Sequence, residues 1–100
     1  MIFDHRTYTI QPGKTNEYVK IFEEFAYPIA KKHGLELTAY FVSKVGRLNQ
    51  VVHIWQYNDI MEFETLREKR DDYAGLQQRI EKLKEKYRII RDQKIREGVE

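Results

Sequence analysis

The segment Gln50-Val51-Val52-His53-Ile54-Trp55-Gln56-Tyr57 constrains this chain more than any other, because it reads as a strand and resists any other assignment. Its β-branched and aromatic residues suit a pleated, half-buried surface. Side chains along a strand alternate between faces. Val51, His53, Trp55 and Tyr57 therefore share one face, and Gln50, Val52, Ile54 and Gln56 share the other. A second β-rich run, Leu37 to Val45, precedes it across Gly46-Arg47-Leu48-Asn49. A link that short joins antiparallel neighbours, so the two runs form a hairpin.

Around this hairpin the chain offers a strand and three helical stretches. Ile2 to Ile10 reads as a strand, and Gln11-Pro12-Gly13-Lys14 as a turn. Thr15 or Asn16 can cap a helix whose apolar stripe is Tyr18, Ile21, Phe22, Phe25 and Ile29. Lys31, Lys32 and His33 suit its last turn, with Gly34 as C-cap. Pro28 lies inside this helix and predicts a kink near residues 24–28, either structural or opening a cavity mouth. Asp59 and Glu62 resemble a capping box, and Phe63, Leu66, Tyr73, Leu76, Ile80, Leu83 and Tyr87 recur behind them. One long coiled-coil helix would explain that spacing. A break near Asp71-Asp72, with Gly75 weakening continuity, explains it better, since Arg70 interrupts the seam. The tail from Arg88 to Val99 reads equally as a last strand or a frayed helix end.

With 100 residues, 41% of them hydrophobic, the chain has material for one core, and we read residues 1–100 as a single α+β domain. Cysteine is absent, which excludes disulfides, thiolate metal sites and a cysteine nucleophile. Charge at Asp4, His5 and Arg6 argues against a signal peptide, and no apolar run approaches the roughly 20 residues that span a bilayer. A soluble cytoplasmic protein is the default expectation. A formal charge of +2 is too balanced to imply a polyanion partner. The basic residues from Lys82 to Arg96 alternate with Glu81, Glu85, Asp92 and Glu97, which is a solvated face rather than a nucleic-acid surface.

Chemistry concentrates on one side of the strands. His53, Trp55 and Tyr57 are amphipathic rings in a row, each with a polar atom that needs a partner. On the first strand, Asp4, Arg6 and Tyr8 share a face. If that face adjoins His53 and Tyr57, a base, a cation and two phenols come together. Aliphatic Val52 and Ile54 suit packing on the helices, which leaves the ring-bearing face to be closed by a second subunit, with an amphipathic cavity between the two sheets. The bland alternative is an inert interface made of the same rings. His53 is the best candidate base, because its ordinary pKa of about 6.5 lets it exchange protons near neutrality. A purely structural histidine is the competing reading. His5, His33 and His53 have no ligand spacing, so no metal site is expected. Nothing argues for a cofactor; a haem ligated by His53 stays open. Nucleophile elbows and glycine-rich phosphate loops are absent.

Two segments resemble the NIPSNAP family. His5-Arg6-Thr7-Tyr8-Thr9-Ile10-Gln11-Pro12-Gly13-Lys14 is similar to its opening strand, and Gly46-Arg47-Leu48-Asn49 followed by His53-Ile54-Trp55-Gln56-Tyr57 to its signature. Arg67 falls where the family's second helix carries an arginine. Phe63 departs from the further arginine of many members, Tyr73 stands near a family tryptophan, and the family's proline- and phenylalanine-containing ending is missing. The resemblance implies a ferredoxin-like βαββαβ domain with an antiparallel sheet, pairing across a twofold axis into a dimeric α/β barrel. It favours a last strand in the tail. It implies no particular activity, and the wider superfamily spans cofactor-free monooxygenases, isomerases and haem-handling enzymes.

Three functional readings follow. The leading one is a homodimer binding a small planar or acidic molecule through Arg6, Tyr8, His53, Trp55, Tyr57 and Arg67. The second is a cofactor-free oxygenase or isomerase in which His53 is the base and Tyr8 and Tyr57 assist. The third is a non-catalytic interaction module.

Overall fold

Four strands form one antiparallel sheet in the order β2-β3-β1-β4. The computed structural model describes residues 1–44, 48–71 and 76–98. The strands are β1 (Ile2–Thr9), β2 (Glu36–Val42), β3 (Gln50–Tyr57) and β4 (Ile90–Glu97). The helices are α1 (Thr15–Ile21), α2 (Tyr27–Lys32), α3 (Ile60–Asp71) and α4 (Leu76–Lys86). This is the ferredoxin-like βαββαβ arrangement, with each crossover helical. In one chain the sheet is open, with β2 and β4 at its edges, so it closes no barrel by itself.

The tail is a strand because β1 needs a second neighbour. Its pairing runs from Ile2 opposite Glu97 to Thr9 opposite Ile90. The β2–β3 hairpin is antiparallel as the spacing predicts, with a bulge between Leu37 and Ala39. Of its turn, Gly46 and Arg47 lie outside the described residues. So do Asp72, Tyr73 and Gly75, although helices end at Asp71 and begin at Leu76 on either side of them.

Gly13 adopts φ +84° in the turn before α1, and Lys14 N–H donates to Gln11 C=O at 3.1 Å. Proline then glycine at the two central positions suits a turn that requires positive φ at the second. The first helix begins at Thr15, but neither Thr15 nor Asn16 caps it: Lys14 holds the cap position, without a side-chain hydrogen bond. The backbone turn has already directed Lys14 C=O into the helix, where Tyr18 N–H meets it at 3.0 Å. The helix leaves through Gly34, again at φ +84°.

Pro28 produces a widened turn in place of a simple kink. Residues Phe22–Ala26 form a π-helical turn joining α1 to α2, in which Tyr27 N–H reaches back to Phe22 C=O. Proline has no N–H to donate, and its ring crowds the carbonyl one turn earlier. A single wide turn relieves that crowding without ending the helix.

The core lies between the sheet and the helices. One cluster joins Phe22, Ala30, Leu35, Trp55, Tyr57 and Phe63; the other joins Ile10, Val51 and Tyr87. This reverses the face assignment expected from sequence. The face carrying His53, Trp55 and Tyr57 meets the helices, while Val52 and Ile54 lie on the other side, only half-buried. Large rings fill the sheet–helix layer better than valine and isoleucine, and the helices supply complementary rings at Phe22 and Phe63.

Candidate functional site

The register brings the sequence candidates together. Arg6 pairs with His53, Tyr8 with Val51 and Asp4 with Trp55. Directly opposed residues in an antiparallel pair share a face. Arg6, Tyr8, His53 and Trp55 thus point into the same layer, beneath α1 and the π turn.

Asp4 organises the charged part. It is completely buried, and its Oδ2 accepts a 2.7 Å hydrogen bond from Arg6 Nε while lying 2.6 Å from Nη2. Its Oδ1 accepts from Gln93 Nε2 on β4 at 2.9 Å. Burial works against the Arg6 charge, but Tyr8 and Asp4 beside it hold the guanidinium protonated above its ordinary range. An ion pair removed this far from water survives because the partner is adjacent and hydrogen-bonded.

His53 sits in a cage of rings. Phe22, Tyr8 and Tyr40 lie 4.3, 4.7 and 4.9 Å from it between centroids. Tyr18 Oη is 3.3 Å from Nε2. Burial, reinforced by the nearby Arg6 charge, lowers its pKa to about 3. His53 is therefore a neutral imidazole at physiological pH. Burial also raises the pKa of Tyr18, helped by Tyr8 and Tyr40, and that of Tyr40, helped by Glu23 and Tyr8. These phenols stay protonated.

A cavity of about 370 Å³ opens between the sheet and the helices. Arg6, Tyr8, His53, Trp55 and Arg67 line it, with Tyr18 and Phe22 from the first helical stretch and Leu83 and Tyr87 from the second. Among its lining residues, Trp55 carries a buried donor, Nε1, with no hydrogen-bond acceptor among the described residues, and Arg6 a buried Nη2 that lies 2.6 Å from Asp4 Oδ2. Their residues are almost wholly buried, at 2% and 5% exposure. Its exposed lining side chains include Arg67 from α3, Glu81 from α4 and Arg91 from β4.

Five of the six expected binding residues line this cavity, and Tyr57 does not. Its ring stacks edge-on against Phe63 at 5.1 Å, inside the core. The cavity also lies between sheet and helices of one chain, whereas the sequence suggested a space between two sheets. Sequence reasoning missed Asp4, Tyr18, Phe22, Tyr40 and Gln93. Asp4 was legible as a face-mate of Arg6 and Tyr8 on the first strand, but its burial as the partner of the Arg6 guanidinium was not. Gln93 carried no such signal, since it pairs only once the tail is known to be β4. Among the described residues no cluster of three or more His, Asp or Glu could hold a metal ion. None of the described helices is long and apolar enough to cross a membrane.

Comparison with known proteins gives the same answer at the level of sequence and of fold. The chain is 37% identical over 60 residues to human protein NipSnap homolog 3A, a match covering 59% of this chain and 24% of that protein. It thus spans about a quarter of the length of the curated relatives it matches. A NIPSNAP family protein of known structure from Agrobacterium tumefaciens superposes with a TM-score of 0.85 at 31% identity, over 98% of this chain and 92% of that one. A dimeric ferredoxin-like protein from an uncultured marine organism shares the fold alone, with a TM-score of 0.71 at 12% identity over 100% and 96% of the two chains. The NIPSNAP family profile itself matches residues 3–96, taking in all four strands nearly to their ends, and the chain belongs to the NIPSNAP family.

Proposed function

We propose that this NIPSNAP domain binds a small, planar or acidic molecule in the cavity between its sheet and helices. The observation that carries this reading is the buried donor Trp55 Nε1, which has no acceptor among the described residues, on a residue that lines, together with Arg6, a cavity about 370 Å³ in volume. A buried donor left unpaired costs roughly 1–3 kcal/mol, which a ligand acceptor recovers. Ring walls suit a flat molecule, and the cations around the cavity suit an acidic one.

Binding is favoured over catalysis by His53. A histidine with its pKa lowered to about 3 is in the right form to accept a proton but has little affinity for one. The oxygenase or isomerase reading would need a ligand that restores its basicity. His53 serves better as a neutral hydrogen-bonding wall.

The dimer belongs to the same proposal, through the other sheet face. Phe3, His5, Val52 and Ile54 there are only half-buried, and Phe41 is 57% exposed. A second copy would cover this face and leave the cavity on the far side of each sheet; a neighbour of the same fold is itself dimeric.

The chain has a single tryptophan, so Trp55 fluorescence reports on the cavity directly. Titration with 2-naphthoate should give a saturable change in the Trp55 emission of the wild-type chain. Absence of any saturable change with planar acids or ketones, in protein shown to be folded by circular dichroism, would count against the reading.

A further inference from the structure

The cavity has two chemically different ends. At the buried end the donors are Arg6 Nη2 and Trp55 Nε1, on diagonal positions of neighbouring strands, since Arg6 opposes His53 and Trp55 is two residues further along β3. The Arg6 charge there is already matched: Asp4 gives Oδ2 to the guanidinium and Oδ1 to Gln93. The floor therefore presents hydrogen-bond donors but no net charge. Toward solvent, the charged lining side chains among the described residues are Arg67, Lys84 and Arg91 with Glu81, three cations against one carboxylate. Lys84 and Glu81 approach to 3.5 Å, so the surplus positive charge rests mainly on the two arginines.

An anion and a neutral acceptor respond differently to these ends. A carboxylate taken to the floor loses its hydration and meets the Asp4 charge together with that of Arg6, so its net attraction is small. A carbonyl oxygen has much less hydration to lose and accepts from the same donors. At the exposed end a carboxylate keeps part of its water and faces a net positive field.

We infer that the cavity takes an amphiphilic oxo-acid, with a neutral carbonyl oxygen at the Arg6–Trp55 floor, an apolar body between the rings, and its anionic group at the rim beside Arg67 and Arg91. This inference rests on the cavity reading proposed above and adds the polarity and orientation of the ligand. It reverses the simplest expectation, in which Arg6 pairs with the acid.

Three probes of one shape test it by calorimetry and Trp55 fluorescence: 6-acetyl-2-naphthoate, 2-naphthoate without the ketone, and 2-acetylnaphthalene without the acid. The first should bind about tenfold more tightly than either of the others, a factor one well-placed hydrogen bond or ion pair supplies. Arg67→Gln/Arg91→Gln changes exposed side chains only. It should weaken both carboxylates about tenfold and abolish their salt dependence, with 2-acetylnaphthalene unchanged. Trp55→Phe should weaken only the two ketones. The inference is overturned if the ketone adds no affinity, or if the rim variant binds 2-naphthoate as wild type does while Asp4→Asn/Arg6→Gln loses it. Either of those results leaves the cavity reading standing with the acid at the floor. Failure of all three probes to bind wild type overturns both.

Discussion

Arg6 and Asp4, two residues apart on β1, form a buried ion pair in which the guanidinium Nε donates to Asp4 Oδ2 at 2.7 Å. The pair lies beneath the helices and beside the cavity, and both residues are at most 5% exposed. Removing one partner strands the other charge. Arg6→Gln alone should therefore destabilise the fold by about 3–5 kcal/mol in urea denaturation. Asp4→Asn/Arg6→Gln should cost clearly less than that single change. Equal losses from the single and double variants would show that the cost is lost packing rather than uncompensated charge.

The caged imidazole makes stability depend on pH. The folded pKa of His53 is lowered to about 3, below its ordinary 6.5, so the unfolded chain binds the extra proton between those values. Stability is then constant above about pH 6.5 and falls as pH drops toward 3, by up to about 1.4 kcal/mol per pH unit from this residue. His53→Gln should flatten that part of the profile relative to wild type. Parallel profiles for the two proteins would mean that His53 titrates normally in the fold. Proton NMR of the ring should likewise show no titration between pH 5 and 8.

Phe22 connects the π turn to the His53 cage, with its ring 4.6 Å from Tyr40 and 4.3 Å from His53. Phe22→Ala should cost about 3–5 kcal/mol, the usual loss for a buried ring that leaves a hole. It should also enlarge the cavity and raise the pKa of His53 toward 6.5 by admitting water. A destabilised variant whose histidine still fails to titrate near neutrality would assign the shift to the Arg6 charge rather than to burial.

The outer sheet face predicts assembly. Sedimentation velocity on the wild-type chain should give a dimer, and Ile54→Lys should give a monomer by placing a charge at the centre of the covered face. Because Ile54 points away from the cavity, the monomer should retain Trp55 quenching by planar ligands. A monomeric wild type would remove the dimer from the proposal without touching the cavity.

Much of this protein was legible before any coordinates. Gln50–Tyr57 is a strand with the bounds its alternation implied, and Arg6, Tyr8, His53 and Trp55 came together as their shared faces required. The cap at Thr15 or Asn16 failed because a backbone turn at Gly13 directs Lys14 into the helix without a side chain. Such turn geometry competes with capping chemistry and leaves the same residue types in place.

The sequence by itself determined which residues share a face. A period of two divides a strand into two sets, which only an irregularity such as the β2 bulge between Leu37 and Ala39 re-sorts. It could not decide which set meets the helices, because the division is symmetric until another element packs on one side. That choice fell to Phe22 and Phe63, whose rings fill the space over Trp55 and Tyr57, and to the burial of Asp4 with Arg6. The tertiary structure thereby moved the cavity from between two subunits to within one chain. It also lowered the pKa of His53, since burial and a neighbouring cation act only once the chain has folded around the ring.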